Sequence, residues 1–338
     1  MDNVNLKKLA KELNLAVSTV SRALHDSHEI SQETKNRVKA LAIKWGFQPN
    51  AYASGLRQNK SQTIGVVIPE IENNFFSQVI NGIESIAHEK GFHVLVYLTH
   101  EDSERERSVL QLLRNGRVDG LMISLSNSTR TVDHLDAWQK AHIPIVCFDR
   151  VNEELNVPTI TINDADVSFK ATEHLLENGC KRIAFLSLSN QLSITDRRKA
   201  GYLKALKKYH LESRQLVVEC TEDNASNNEI IRKLLIGKDA PDAVFTAIEK
   251  LAINMFEVCS LLKIKIPDDL QLVSFSNSPA APWFCPSLTA IVQPAYDMGK
   301  EAASTLFKLI EKKTLLAGEK RITLRATLCK RNSSDKKK

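Results

Sequence analysis

Two periodicities divide the chain. Over the first 45 residues, apolar side chains recur at helical spacing: Leu6, Leu9, Ala10 and Leu13 fall at i, i+3, i+4 and i+7, one stripe of a helix. Asn14-Leu15 interrupts the stripe, and asparagine tolerates the left-handed conformation that a tight helix–helix turn needs. A second stripe carries Val20, Ala23 and Leu24; a third carries Val38, Leu41, Ala42 and Trp45 before Gly46 stops it. Ser31 stands where an N-cap is expected, with Glu33 in the first turn favouring the helix dipole. From Thr63 the period changes. IGVVI (64–68), HVLVYL (93–98), VDGLMIS (118–124) and IPIVCF (143–148) read as buried strands, with FSQVINGIESIAHEKG (76–91) and ERSVLQLLRNG (106–116) as helices between them. After Asn163 the alternation restarts with KATEHLLENGCKRIAFLSL (170–188), RQLVVEC (214–220), DAVFTA (242–247) and LQLVSF (270–275). Near-continuous β-branched runs separated by helices predict parallel sheets covered on both faces. The expected fold class is α/β: two doubly wound lobes behind a small helical head.

Charge sharpens that division. The net charge is +6, but residues 1–60 carry ten Lys/Arg against five Asp/Glu, residues 330–338 carry five against one, and the body between them is mildly acidic. A basic head on an acidic body is the asymmetry of a chain that meets a polyanion through its N-terminus. The tail, ending NSSDKKK, reads as a solvated, disordered basic end (331–338). Hydrophobic residues at 43% and charged residues at 25% exclude a disordered or low-complexity chain. Residues 271–296 carry no charge, yet Pro279, Pro282, Pro286 and Pro294 break them as a membrane helix. The first ten residues lack a signal-peptide core, so the cytosol is the expected compartment. Six dispersed cysteines without a CxxC pair suggest neither zinc nor a disulfide framework.

Helix, short turn, helix and a supporting helix make a helix-turn-helix DNA reader. Short side chains at Val17 and Ser18 let the second helix approach base edges, and Arg22 one turn later can fork onto guanine O6/N7. Thr19 and Ser21 can bond phosphates and set the register. Here the sequence resembles the LacI/GalR repressors. The resemblance runs collinearly through LNLAVSTVSRALHD, ISQETKNRVKA, GFQPNAYASGL and TIGVVIPEIENNFF. It implies that Val17, Ser18 and Arg22 read bases. One departure is local: the serine that usually caps the recognition helix is Ala16, and losing a cap costs about 1 kcal/mol.

Residues 49–61 are the expected hinge. AYASGL is far below the roughly 12–15 residues an isolated helix needs, and the resemblance implies a segment that folds on DNA and pairs across a dimer axis. Leu56 would wedge into the minor groove, with Ala53 and Arg57 beside it; Ser54 replaces the usual arginine. The resemblance also implies a periplasmic-binding-protein-like core whose chain crosses between lobes three times. The expected segments are 1–48 for the head, 62–162 plus 293–318 for the first lobe, and 163–292 plus 319–330 for the second, including the strand ITLRATL.

Such sheets bind ligands beyond the carboxyl ends of their strands. The strand-end residues Asn73, Phe75, Phe76, Asp149, Leu192, Arg198, Glu249, Ser276 and Asn277 are therefore the candidate effector contacts. Arg198 can bond hydroxyls, carboxylate or phosphate, and the two phenylalanines can form an apolar wall. Ile248-Glu249 and Ser276-Asn277 replace the family's Asn-Asp and Asp-Asp, so the pocket is less acidic than usual. No GxGxxG after a strand, GxxxxGK[ST], HExxH or GxSxG occurs, and nothing argues for an enzyme, metal or cofactor. Asp164-Ala165-Asp166 reads as acids placed on a helix dipole. The expected function is a ligand-responsive, sequence-specific regulator that binds a near-palindromic operator as a homodimer, with a sugar-like effector between the lobes. The alternatives are a solute-binding protein and a catabolite-type regulator answering to a protein partner or corepressor.

Overall fold

The computed structural model describes residues 5–24, 26–47, 61–72, 74–152, 154–188 and 192–335. The chain separates into two compact units, residues 1–61 and 62–338. In the first, α1 (Leu6–Leu13), α2 (Val17–Leu24) and α3 (Gln32–Lys44) bury Leu9, Ala10, Val20, Ala23 and Val38 in one small core. Asn5 caps α1 by accepting from the Lys8 N–H, Asn14 ends it at φ 54°, and Ser31 caps α3 by accepting from the Thr34 N–H. Each is a local polar group meeting an orphan backbone group at a helix end.

The second unit holds two six-stranded sheets. One is wholly parallel, in the order β11 (Arg321–Leu324), β5 (Thr159–Ile162), β4 (Ile145–Phe148), β3 (Gly120–Ile123), β1 (Thr63–Ile68), β2 (His93–Leu98). The other runs β12 (Thr327–Cys329), β10 (Thr289–Val292), β9 (Gln271–Phe275), β8 (Ala243–Thr246), β6 (Ile183–Ser187), β7 (Leu216–Glu219), with β12 alone antiparallel. The central strands are buried at every position, as strands covered on both faces require. Helices α4 (Asn74–Glu89), α5 (Ser103–Arg114) and α6 (Asp133–Lys140) follow strands of the first sheet. Strands of the second sheet are interleaved with α8 (Ser193–Lys208), α9 (Asn224–Ile236) and α10 (Glu249–Leu262). Two further helices follow crossings: α7 (Asp164–Glu177) packs on α8, and α11 (Ala295–Ile310) packs on α4.

The chain passes between the sheets after β5, after β10 and after β11. The last passage corrects one expectation. ITLRATL does not belong to the second lobe as a whole: β11 extends the first sheet beside β5, with Arg321 opposite Thr159 and Leu324 opposite Ile162, and only β12 joins the second. The cause is its alternation. Ile322 and Leu324 pack against the core while Arg321 and Thr323 stay exposed, which suits a sheet edge. The crossing is then pinned, since the Asn163 N–H donates to the Leu324 carbonyl and the Asn163 side-chain oxygen accepts from the Ala326 N–H.

The tail needs a correction too. Residues 331–335 are docked on the second lobe through Ser333 and Ser334, which are fully buried while Asn332 and Asp335 stay exposed: Ser333 Oγ donates to the Leu272 carbonyl at 2.6 Å, and Ser334 Oγ bonds Thr289 Oγ1 at 2.7 Å and His174 Nε2 at 2.8 Å. Hydroxyls with buried partners hold a segment whose lysines alone suggested disorder. Residues 336–338 lie outside the described residues.

Candidate functional site

On the first unit, α2 turns Val20 and Ala23 inward and leaves Val17, Ser18 and Arg22 exposed, with Thr19 and Ser21 partly so. Ser18 and Arg22 are four residues apart and share a face. Arg22 Nη1 pairs with Glu29 Oε2 at 2.9 Å, both side chains more than half exposed. Such a pair is worth only about 0.2–1 kcal/mol, so the guanidinium can exchange Glu29 for another acceptor at little cost. Ala16 contributes no capping side chain to α2. The hinge positions Ala53, Leu56 and Arg57 lie outside the described residues, as does Asn73.

On the second unit, most of the remaining strand-end candidates converge. Phe75, Phe76, Asp149, Arg198, Glu249, Ser276 and Asn277 line one cavity of about 60 Å³ between the two sheets. Phe75 and Phe76 meet edge to face, ring centroids 5.1 Å apart. Arg198 is fixed from three sides: its Nε donates to Asp164 Oδ1 at 2.8 Å, its Nη1 to the Ala247 carbonyl at 2.7 Å, and its plane lies over the Phe275 ring at 3.7 Å. Glu249 accepts from Ser276 Oγ at 2.6 Å and from the Ser278 N–H at 3.1 Å. Asn277 spans the lobes, donating to Gln78 Oε1 on α4 at 3.2 Å and to the Gln293 carbonyl at 2.8 Å.

Two groups in this cavity stand ready for a guest. Asp149, buried and in the left-handed region at φ 57°, comes only within 4.0 Å of Arg150 Nε. Burial pushes its carboxyl above the usual range, against the pull of the Arg150 and Arg198 charges. Gln293 Nε2 is buried without a hydrogen-bond partner among the described residues. A buried donor left unmade costs about 1–3 kcal/mol, so a guest with an acceptor for Gln293 would recover that loss while a hydroxyl of the same guest bonds Asp149.

Leu192 does not line this cavity; it precedes α8 at the N-cap position, and Ile194, one turn before Arg198 on the same face, lines it instead. That i, i+4 spacing was a usable signal. Arg150, Ile248, Phe275 and Gln293 also line it. Gln293 sits on a crossing segment, where nothing local marks it. Asp164 is more than the dipole acid its position suggests: it is buried and shared by Arg198 at 2.8 Å and Arg197 at 3.4 Å, and it orients the arginine of the cleft. Among the described residues no cluster of His, Cys, Asp and Glu could hold a metal ion, and no helix is long and apolar enough to cross a membrane.

The chain is similar to known proteins in both units. Residues 5–50 match the bacterial regulatory proteins of the lacI family, and residues 172–334 match the periplasmic binding protein-like domain. The ribose operon repressor of Halalkalibacterium halodurans is 31% identical over 92% of this chain and 91% of its own length. Catabolite control protein A of Priestia megaterium is 29% identical over 93% of this chain and 94% of its own. The lac repressor dimer bound to operator and an anti-inducer superposes with a TM-score of 0.86 at 22% identity, covering 98% of this chain and 99% of that one, a likeness of fold. The relatives are transcriptional regulators and not enzymes. A helix-turn-helix head, a two-lobed core and a relative alike over nine-tenths of the length leave one conclusion: the chain belongs to the LacI family of bacterial regulatory proteins.

Proposed function

We propose that this regulator is a repressor that acts in the cytosol as a homodimer on a near-palindromic operator, and that a small polyhydroxylated, sugar-like ligand in the inter-lobe cleft changes its grip. The observation that carries the cleft reading is Gln293 Nε2, buried without a partner among the described residues, lining one cavity with the Asp149 carboxyl and with Arg198 held in place by Asp164. Val17, Ser18 and Arg22 read bases, Thr19 and Ser21 hold phosphates, and a dimer places two such helices about one helical turn apart. Ala53, Leu56 and Arg57 act at the minor groove between them. Ligand entry alters the lobe angle, and the Asn277–Gln78 bond across the cleft is the contact most directly exposed to that change. Operator affinity then shifts by the ligand's differential affinity for the two lobe arrangements. The similarity to a ribose operon repressor supports a pentose-sized guest.

The test is selection of operators from random DNA by the full-length protein, followed by titration with ribose and related sugars. Enrichment of a palindrome, and a sugar that changes affinity for it, are expected. No sequence preference would refute the reading. A second reading draws on the likeness to catabolite control protein A: a ligand or protein partner that tightens binding. An affinity that falls as sugar is added favours the first reading, and one that rises favours the second.

A further inference from the structure

The second unit holds a larger cavity, of about 330 Å³, which Asp164 lines and which shares no lining residue with the cleft cavity. Its floor is one face of the sheet edge. In the β5–β11 register Arg321 stands opposite Thr159, and Thr323 opposite Thr161, so one arginine and three hydroxyls lie side by side while Ile160, Ile162, Ile322 and Leu324 point to the core. Val151 and Leu155, both buried, form an apolar wall. Arg197 closes the site from α8: its Nε reaches Asp164 at 3.4 Å, and its Nη2 is buried without a hydrogen-bond partner among the described residues.

Charge selects the guest. Asp164 is already matched by Arg198 at 2.8 Å, which leaves Arg197 and Arg321 against the exposed Asp166 at the mouth. The surplus is one positive charge, right for a monocarboxylate and too little for a phosphate dianion. A guanidinium fork matches a carboxylate, the threonine hydroxyls can bond a neighbouring hydroxyl, and the apolar wall accepts a hydrocarbon group. We propose that this cavity is a second ligand site, distinct from the inter-lobe cleft, for a small hydroxy-carboxylic acid with an apolar substituent.

Mandelate is a suitable probe, with benzoate lacking the hydroxyl and inorganic phosphate lacking the hydrocarbon, titrated into the full-length protein labelled at threonine, valine, leucine and isoleucine methyls. Mandelate should shift the Thr161, Thr323 and Val151 signals saturably and bind more tightly than benzoate, while phosphate should not saturate them. Arg321→Ala, on an exposed strand edge, should weaken mandelate about tenfold or more, since a charge-assisted hydrogen bond is worth roughly 1.5–3 kcal/mol. Asn277→Ala in the cleft should leave it unchanged. The site is refuted if no saturable shift appears, if only the cleft residue Ile194 responds, if phosphate binds as tightly as mandelate, or if Arg321→Ala keeps full affinity. None of these outcomes depends on whether the cleft takes a sugar.

Discussion

Arg22 and Asp164 show how differently two charged residues can be held. Arg22 is exposed and parked on Glu29, so its partner is exchangeable. Replacing it by alanine should cost about 1–3 kcal/mol on a selected operator and far less on random DNA; fluorescence anisotropy on both duplexes measures the difference, and equal losses would overturn the proposal that it reads bases. Asp164 is buried against two arginines, where an unpaired charge would be costly. Its role was hidden in the sequence because Arg197 and Arg198 lie more than thirty positions away. Ala16 is the opposite case, legible from sequence alone. Ala16→Ser should stabilise α2 by about 0.5–1 kcal/mol through a restored cap, read as slower amide exchange in that helix of the full-length protein.

The elements follow their periodicities except where one alternating run is divided between two sheets. Most strands and the three head helices were legible because each carries a continuous or evenly spaced apolar set; the four-residue β5 and β10 were not, and β2 and β7, at sheet edges, have no fully buried position. β11 and β12 were not separable, since ITLRATL alternates throughout and only the position of Asn163 decides where the chain changes sheets. Helix pairing was equally silent. A Cβ on Gly82 would fall inside the Tyr296 carbonyl where α4 crosses α11, and one on Gly299 inside the Val79 carbonyl. Backbone cannot yield as a side-chain tip does, so Gly82→Ala should destabilise the core by about 1–3 kcal/mol or more. A lowered urea midpoint with an unchanged slope would register it; an unchanged midpoint would show that the helices can slide apart freely.

At the scale of the whole molecule, the C-terminal segment closes the second lobe by hydrogen bonds to a histidine. His174 accepts or donates at Ser334 Oγ, and burial, with the Lys330 charge, lowers its pKa from 6.5 to about 4. The unfolded chain therefore takes up a proton below about pH 6.5 that the folded chain refuses until about pH 4. This group's contribution is complete above that window and declines as pH falls through it, by at most about 1.4 kcal/mol per pH unit. Urea midpoints between pH 7 and 4 should fall accordingly, and His174→Gln should flatten that part of the profile. The sequence by itself determined the three-helix head, the two wound lobes and most of the strand-end residues that line the cleft cavity, because helical and strand periodicity and polarity at strand ends are local properties. The unsatisfied Gln293, the shared Asp164, the split of the last strands and the cavity beside β11 were decided only by the tertiary structure. Each depends on which distant segments the three crossings bring together, and burial converts those meetings into energies that no local window contains.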